Sequence, residues 1–465
     1  MRRLPLILVT ACALGIAACS GGDTTPTSEP GANSEATTTS GGGDSMTTAG
    51  GETALTAVEI FARVSPSVAY IDTPLGTGSG FVINDRWLVS NAHVVWPFDT
   101  VRVVFPDGTA FDEAPVHAWD LIADLAVIQL PESHGFAPVQ FADPAELPVG
   151  SDLFLVGYPA EGEEFPQPTI SAGILSRVRN WNVAELSYIQ TDAAIAGGQS
   201  GGALISAQGE VVGLSGFKFA DTFGLALAAP IVDERTSGLI DGTDINSMSG
   251  RRLARGTSNN VFTFTLENFY DQRAFVVREA AGQLVDVELR GLNDGVIDVY
   301  DTRGLESTFA DDSSSGSEFA SFELDLEIPF IIVASQLNIG FGEFAISAFP
   351  GLAVQHDPDD GRVIQRGRTY IGAVDYPADQ DNYELDLDAG ETVTVRVESL
   401  NFDPEVVIDS LENTGEPLAY NDDSAGGMFG TDAELTFTAP ADGTYVVALG
   451  DAVSEEVGGY YLIVD

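Results

Sequence analysis

Hydrophobic positions in this chain come in short runs separated by Gly, Asn, Asp and Ser, and the first run stands apart from the rest. Leu4 to Ala18 is almost wholly apolar behind Arg2-Arg3, whereas Ser20 to about Gly51 is Gly, Ser, Thr, Pro, Glu and Asp with hardly an apolar side chain. Such a stretch cannot bury enough surface to offset the entropy of ordering it, and it predicts a flexible tether. Beyond it the pattern predicts strands and turns. Gly80 to Ile83 reads as a strand, Asn84-Asp85 as a turn, and Trp87 to Ser90 as a second strand, followed by a short helical turn that carries His93. Leu125 to Leu130 is a nearly continuous apolar run, so Asp124, which opens it, sits at the edge of a core. After Pro230-Ile231-Val232 a Gly/Ser/Asn-rich connector leads into alternating, β-branched, acidic sequence that again predicts short strands.

That second half repeats itself. Ala281-Gly282-Gln283-Leu284-Val285-Asp286-Val287 returns 108 residues later as Ala389-Gly390-Glu391-Thr392-Val393-Thr394-Val395. Asp311-Asp312-Ser313 returns 111 residues later as Asp422-Asp423-Ser424. Two β-sandwich modules of roughly 100 residues each fit this spacing.

One glycine-rich turn carries a chemical signal. In Ala196-Gly197-Gly198-Gln199-Ser200-Gly201-Gly202 a serine lies between glycines just ahead of an apolar run. Its hydroxyl can be exposed there, and unobstructed amides can converge on developing negative charge. A serine hydroxyl needs an adjacent base to be a nucleophile at neutral pH. Imidazole, with an ordinary pKa of about 6.5, suits that task. A carboxylate then fixes its tautomer and stabilises the imidazolium. His93 and Asp124 both stand upstream in strand-end contexts, giving the order His, Asp, Ser. Asp120 competes with Asp124, but the apolar run begins directly after Asp124. His117, His134 and His356 show no metal-ligand spacing.

With those motifs in place, residues 55–235 resemble a trypsin-like serine protease of the bacterial HtrA/DegP type. The resemblance rests on Val64-Ser65-Pro66-Ser67-Val68, Gly78-Ser79-Gly80-Phe81-Val82-Ile83, Ser90-Asn91-Ala92-His93-Val94-Val95, Asp124-Leu125-Ala126-Val127 and the run from Thr191-Asp192-Ala193-Ala194 to Gly202. It implies a two-β-barrel, chymotrypsin-like domain. In it His93 would be general base and acid, Asp124 the orienting carboxylate and Ser200 the nucleophile, with Gly198 and Ser200 as oxyanion donors. The resemblance also implies a primary pocket with Ala194 near its base, Leu214, Gly216 and Lys218 along one wall, and Leu225-Ala226 behind. No acidic residue stands at Ala194, so a small or medium apolar side chain is expected rather than arginine or lysine. The chain departs from the family at Ala196-Gly197 and Gln199, where Asn-Pro and Asn are usual, and at Ala203, where proline is common. The added glycine predicts a looser oxyanion turn. No PDZ-like region is legible after the protease.

The second C-terminal copy resembles the bacterial pre-peptidase C-terminal domain, through Asp379-Gln380-Asp381-Asn382-Tyr383, Ala389-Gly390-Glu391, Tyr420-Asn421-Asp422-Asp423-Ser424 and Ala441-Asp442-Gly443-Thr444-Tyr445. The first copy is more degenerate, with Phe275 where the second has Tyr383. At the other end, Ile16-Ala17-Ala18-Cys19-Ser20 resembles a bacterial lipobox, which implies cleavage before Cys19 and its acylation. Cys12 and Cys19 are the only cysteines, so no disulfide is expected in the mature fold.

Charge narrows the partners. With 70 acidic and 20 basic residues the formal net charge is −50, which excludes the basic footprint that nucleic acid requires. The chemistry expected needs no cofactor. Acidic pairs such as Asp422-Asp423 either cap turns or offer the clustered oxygens that calcium favours.

The expected chain is therefore all-β. It has a signal peptide at 1–18, a tether at 19–51, a protease domain at 52–240, a connector at 241–260, and jelly-roll-like β-sandwiches at 261–350 and 360–465. The expected function is hydrolysis of protein or peptide substrates outside the cytoplasm, in quality control or degradation of extracellular protein, from a membrane held through lipidated Cys19. The rival is a cell-surface binding protein whose sandwiches adhere to a polymer and whose protease fold is spent.

Overall fold

A computed structural model of the chain describes residues 54–160, 166–220, 223–243, 251–255, 259–278, 282–311, 316–324, 328–337, 342–411, 417–422 and 432–465. The signal and tether expected before residue 52, with Cys19, lie outside the described residues.

The expected all-β architecture is present. Strands β1 (Val68–Thr73), β2 (Gly76–Val82), β3 (Trp87–Ser90), β4 (Thr100–Val104), β5 (Ala110–Asp120) and β6 (Leu125–Gln129) close a barrel in the order β1-β2-β3-β6-β5-β4. Strands β7 (Asp152–Gly157), β8 (Thr169–Trp181), β9 (Leu186–Thr191), β10 (Ala203–Ser206), β11 (Val211–Ala220) and β12 (Phe223–Ala228) close a second. Read as β7-β8-β9-β12-β11-β10, it repeats the connectivity of the first. Closure leaves no open sheet edge. The interiors are fully buried apolar residues, including Phe81, Leu88 and Val127 in the first barrel and Leu153, Leu155 and Ile189 in the second. Burial at about 25 cal/mol per Å² of apolar surface stabilises these barrels without a covalent staple.

Among the described residues three α-helices decorate the barrels. In α1 (Ala57–Val64) Thr56 and Glu59 form a reciprocal capping box. The short α2 (Ala92–Val95) carries His93, and α3 (Ala229–Asp241) ends at Gly242 in the left-handed conformation.

The C-terminal modules differ from each other. The second has the expected two layers, a five-stranded and a four-stranded sheet, over a core that includes Val393, Val395, Val406, Val447 and Leu462. In the first, eight strands join in one sheet. Its long strand Gly342–Val354 pairs with Leu284–Gly291 over one stretch and with Arg273–Val277 near its end, so one strand serves both layers.

Residues 251–255, within the expected connector, are docked on the first barrel. Leu253 is buried, Trp119 Nε1 donates to Arg251 O at 2.8 Å, and the Arg252 guanidinium lies 4.3 Å from the Trp119 ring centroid. Arg252 also pairs with Asp99 at 3.1 Å. An arginine-rich segment in so acidic a chain finds carboxylates and an aromatic face close at hand.

The second module packs on both barrels. Tyr461 meets Trp181 edge-on, with ring centroids 5.6 Å apart, and Trp181 Nε1 donates to Glu398 at 2.8 Å. Leu121 O, in the turn between β5 and β6, accepts from Gly459 N at 3.0 Å and from Asn401 Nδ2. A side chain at Gly459 would approach Ile122 Cδ1 to 2.5 Å, so that position needs glycine for the close approach.

Candidate active site

The β5–β6 turn aims Asp124 at α2. Asp124 Oδ2 bonds to His93 Nδ1 at 2.7 Å and Oδ1 accepts from His93 N at 2.9 Å, so one carboxylate fixes both the imidazole and its backbone. Asp124 is a non-glycine residue in the left-handed region, with φ of 51°. That conformation costs about 1–3 kcal/mol and persists only when neighbours over-determine it. Asn91 Nδ2 donates to Asp124 O at 2.8 Å. Asp120 Oδ1 accepts from the amides of Ile122 and Ala123 at 2.9 and 3.1 Å, and Arg235 holds Asp120 at 3.3 Å. From the other side Gly459 and Asn401 hold Leu121. Asp120, the sequence competitor, thus supports the turn while Asp124 meets the histidine.

The imidazole side chain is 47% exposed and the Asp124 side chain 5%. Burial opposes protonation of His93, but the charge and hydrogen bond of Asp124 outweigh it and hold the pKa above the ordinary histidine value.

Ser200 lies between β9 and β10. Its hydroxyl donates to Gly216 O at 3.3 Å, and its carbonyl accepts from Ser79 N at 2.8 Å. Gly198 and Gly201 have φ of 84° and 83°, which only glycine adopts without strain, and they fold the chain back on both sides of the serine. Among the described residues the amides of Gly198 and Ser200 have no acceptor, as an oxyanion site requires.

The looser turn expected from Gly197 and Gln199 is not what the structure holds. Gln199 is buried; its Oε1 accepts from Ala196 N at 2.8 Å and its Nε2 donates to Thr169 Oγ1 at 3.1 Å. Gly197 O accepts from Ala160 N at 2.6 Å. Buried Ser79 completes the clamp, donating to Gly198 O and accepting from Tyr158 N, both at 2.8 Å. Ser79 and Asn91, within the quoted motifs but given no role there, and Thr169 and Gly459, outside them, are the supporting residues.

The residues expected around a primary pocket are dispersed in environment. Ala194 is exposed, with its carbonyl accepting from Ser171 Oγ at 2.9 Å, and Gly216 lies beside Ser200 and Asn91. The Leu214, Leu225 and Ala226 side chains are buried in the barrel cores. The Lys218 side chain and Asp423 lie outside the described residues, and Asp422 is exposed.

Packing of the C-terminal module on the Asp124 turn has a testable consequence. Gly459→Val is expected to lower the melting temperature, since overpacking costs about 1–3 kcal/mol. It is also expected to reduce kcat about 10- to 100-fold at unchanged KM, because displacement of a catalytic group by roughly 1 Å has that effect. Paired thermal and kinetic measurements check this; a lowered melting temperature with full kcat would uncouple the module from the site.

Comparison with known proteins agrees with this geometry. Residues 78–214 match the model of the trypsin-like peptidase domain. The chain is 33% identical over 190 residues to serine protease HTRA2, mitochondrial, of Bos taurus, covering 37% of this chain and 40% of that protein. It is 31% identical over 175 residues to serine protease Do-like HtrA of Bacillus subtilis, covering 35% and 38%. The chain thus spans about two fifths of the length of these relatives. Residues 78–214 carry a trypsin-like peptidase domain similar to that of HtrA-type serine proteases.

Proposed function

We propose that this chain is a serine endopeptidase that works outside the cytoplasm, held to a membrane by lipid on Cys19. The observation that carries the catalytic part is the pair of hydrogen bonds between Asp124 and His93, together with a serine turn in which, among the described residues, two amides have no acceptor. His93 Nδ1 donates to Asp124, which leaves Nε2 as the basic nitrogen. For attack the Ser200 hydroxyl turns from Gly216 O to that nitrogen; such contacts commonly tighten only when substrate binds. His93 takes the proton as Oγ bonds to the peptide carbonyl carbon, and the oxyanion falls between the amides of Gly198 and Ser200. The imidazolium then protonates the departing amine. Water, deprotonated by the same histidine, hydrolyses the acyl-enzyme.

Substrates on this reading are proteins or peptides with a small or medium apolar residue before the cut bond, because the exposed Ala194 offers no carboxylate for a basic one. Degradation of damaged or extracellular protein fits an enzyme with that preference. The lipobox-like Ile16 to Ser20 supports anchoring, and among the described residues no helix is long and apolar enough to cross a membrane.

Incubation of the purified chain with unfolded casein tests the reading. Cleavage is expected after Ala, Val and similar residues, mapped by mass spectrometry. Intact casein alongside a fully folded protein would favour the adhesion protein instead.

A further inference from the structure

Six aspartates converge where the chain enters the second C-terminal module. Asp357, Asp359 and Asp360 precede the strand Arg362–Ile364, and Asp375, Asp379 and Asp381 lie at or beside the turn between strands Arg368–Val374 and Gln380–Leu387. Three arginines account for part of this charge. Arg251 Nη1 reaches Asp359 at 2.7 Å and Asp375 at 2.9 Å, and Arg362 reaches Asp359 at 2.8 Å. Arg273 stands 3.8 Å from Asp360. Among the described residues none of the ion pairs includes Asp357, Asp379 or Asp381.

Three of the six have the geometry of a ligand set. One carboxylate oxygen from each of Asp357, Asp360 and Asp381 lies within 4.8 Å of the other two. Oxygens bound to one calcium ion at about 2.3–2.6 Å are at most roughly 5 Å apart, so these three fit one coordination sphere. A second observation points the same way. Asp381 is fully buried; its Oδ2 accepts from Tyr460, while Oδ1 has no hydrogen-bond partner. Asp379, 3% exposed, uses Oδ2 on the amide of Asp375 and likewise has an unpartnered Oδ1. Asp357 Oδ2 is buried and unpartnered too. A buried charged group left without a partner is strongly disfavoured. Three such oxygens in one cluster lack a hydrogen-bond partner.

We propose that Asp357, Asp360 and Asp381, with Asp379 beside them, bind one hard divalent cation, and that this cation is calcium. All the donors are carboxylate oxygens, which suit Ca²⁺ or Mg²⁺ and not a soft metal. Calcium accepts an irregular shell of six to eight oxygens, whereas magnesium demands an octahedron and keeps its waters, which the full burial of Asp381 disfavours. This set does not include Asp422. Its ligands join the segment between the modules to the turn before Gln380–Leu387, and Arg251 ties the same cluster to the segment docked on the first barrel. The cation would thereby fasten three segments at once, independently of the peptidase reading.

The test uses the purified full chain stripped with EGTA and then titrated with CaCl2 at constant ionic strength. The expected result is one bound calcium per chain by calorimetry. A rise of about 5 °C or more in melting temperature at millimolar calcium should accompany it, with little response to magnesium. Asp381→Asn and Asp357→Asn are each expected to weaken binding at least tenfold, and Asp422→Asn to leave it unchanged. Asp357→Asn, at the less buried position, keeps the test valid should Asp381→Asn fold poorly. No calcium-dependent shift in the wild type would overturn the proposal, as would binding that survives Asp357→Asn undiminished.

Discussion

Ser200→Ala is expected to reduce kcat for peptide hydrolysis by on the order of 10⁶-fold, with the melting temperature unchanged. Among the described residues the hydroxyl has one hydrogen bond, to Gly216 O at 3.3 Å, and the turn that holds it is fixed by backbone bonds and by Gln199 and Ser79. Removing one oxygen therefore removes the nucleophile and leaves the scaffold. His93→Ala should lose about as much, and the double variant little more, because residues that act as a unit are not additive. Initial rates on a fluorogenic peptide, read against stability of each variant, check this. A Ser200→Ala protein that retained a hundredth of wild-type kcat would place the chemistry elsewhere.

Asp124→Asn is expected to lower kcat by about 10⁴-fold and to shift its pH dependence. Asparagine keeps the shape of the side chain but offers an amide where His93 Nδ1 needs an acceptor, so the imidazole loses its tautomer and its counter-charge. The sign of the pH effect follows from the same contact. His93 works as a base when neutral, and Asp124 raises its pKa, so wild-type activity should fall on acidification through a value above about 6.5. Without the carboxylate, burial alone acts and lowers that pKa, so the acid limb of the residual activity should move to lower pH. Profiles of kcat/KM from pH 5 to 9 measure both. An acid limb unmoved by Asp124→Asn would remove Asp124 from contact with the base.

The pairing of His93 with Asp124 was legible because each sits in a local motif at a strand end, and closure of the barrel brings those ends together. The support around the site was not legible. Ser79 acts on Gly198 across 119 residues and Gln199 on Thr169 across 30, and in sequence both are ordinary polar residues. The added Gly197 predicted a looser turn because the substitution was visible and the partners of Gln199 were not. Gly459 resembles any other strand glycine until Ile122 is seen against it. The docking of 251–255 did leave a trace, since Arg251-Arg252-Leu253-Ala254-Arg255 concentrates cations in a chain with 20 of them against 70 acids. The repeat drew notice to Asp422-Asp423, whereas the aspartates that converge come from Asp357, Asp360 and Asp381, joined by folding rather than by adjacency.

Whether Ser200 is an activated nucleophile can be asked without knowing any substrate. A fluorophosphonate reacts with a serine only where a base and an oxyanion site are in place. Intact-mass analysis of the treated chain should show one covalent adduct, mapped by peptide sequencing to Ser200 and absent from Ser200→Ala and His93→Ala. A folded wild-type chain that stays unlabelled, or an adduct on another serine, would contradict the account.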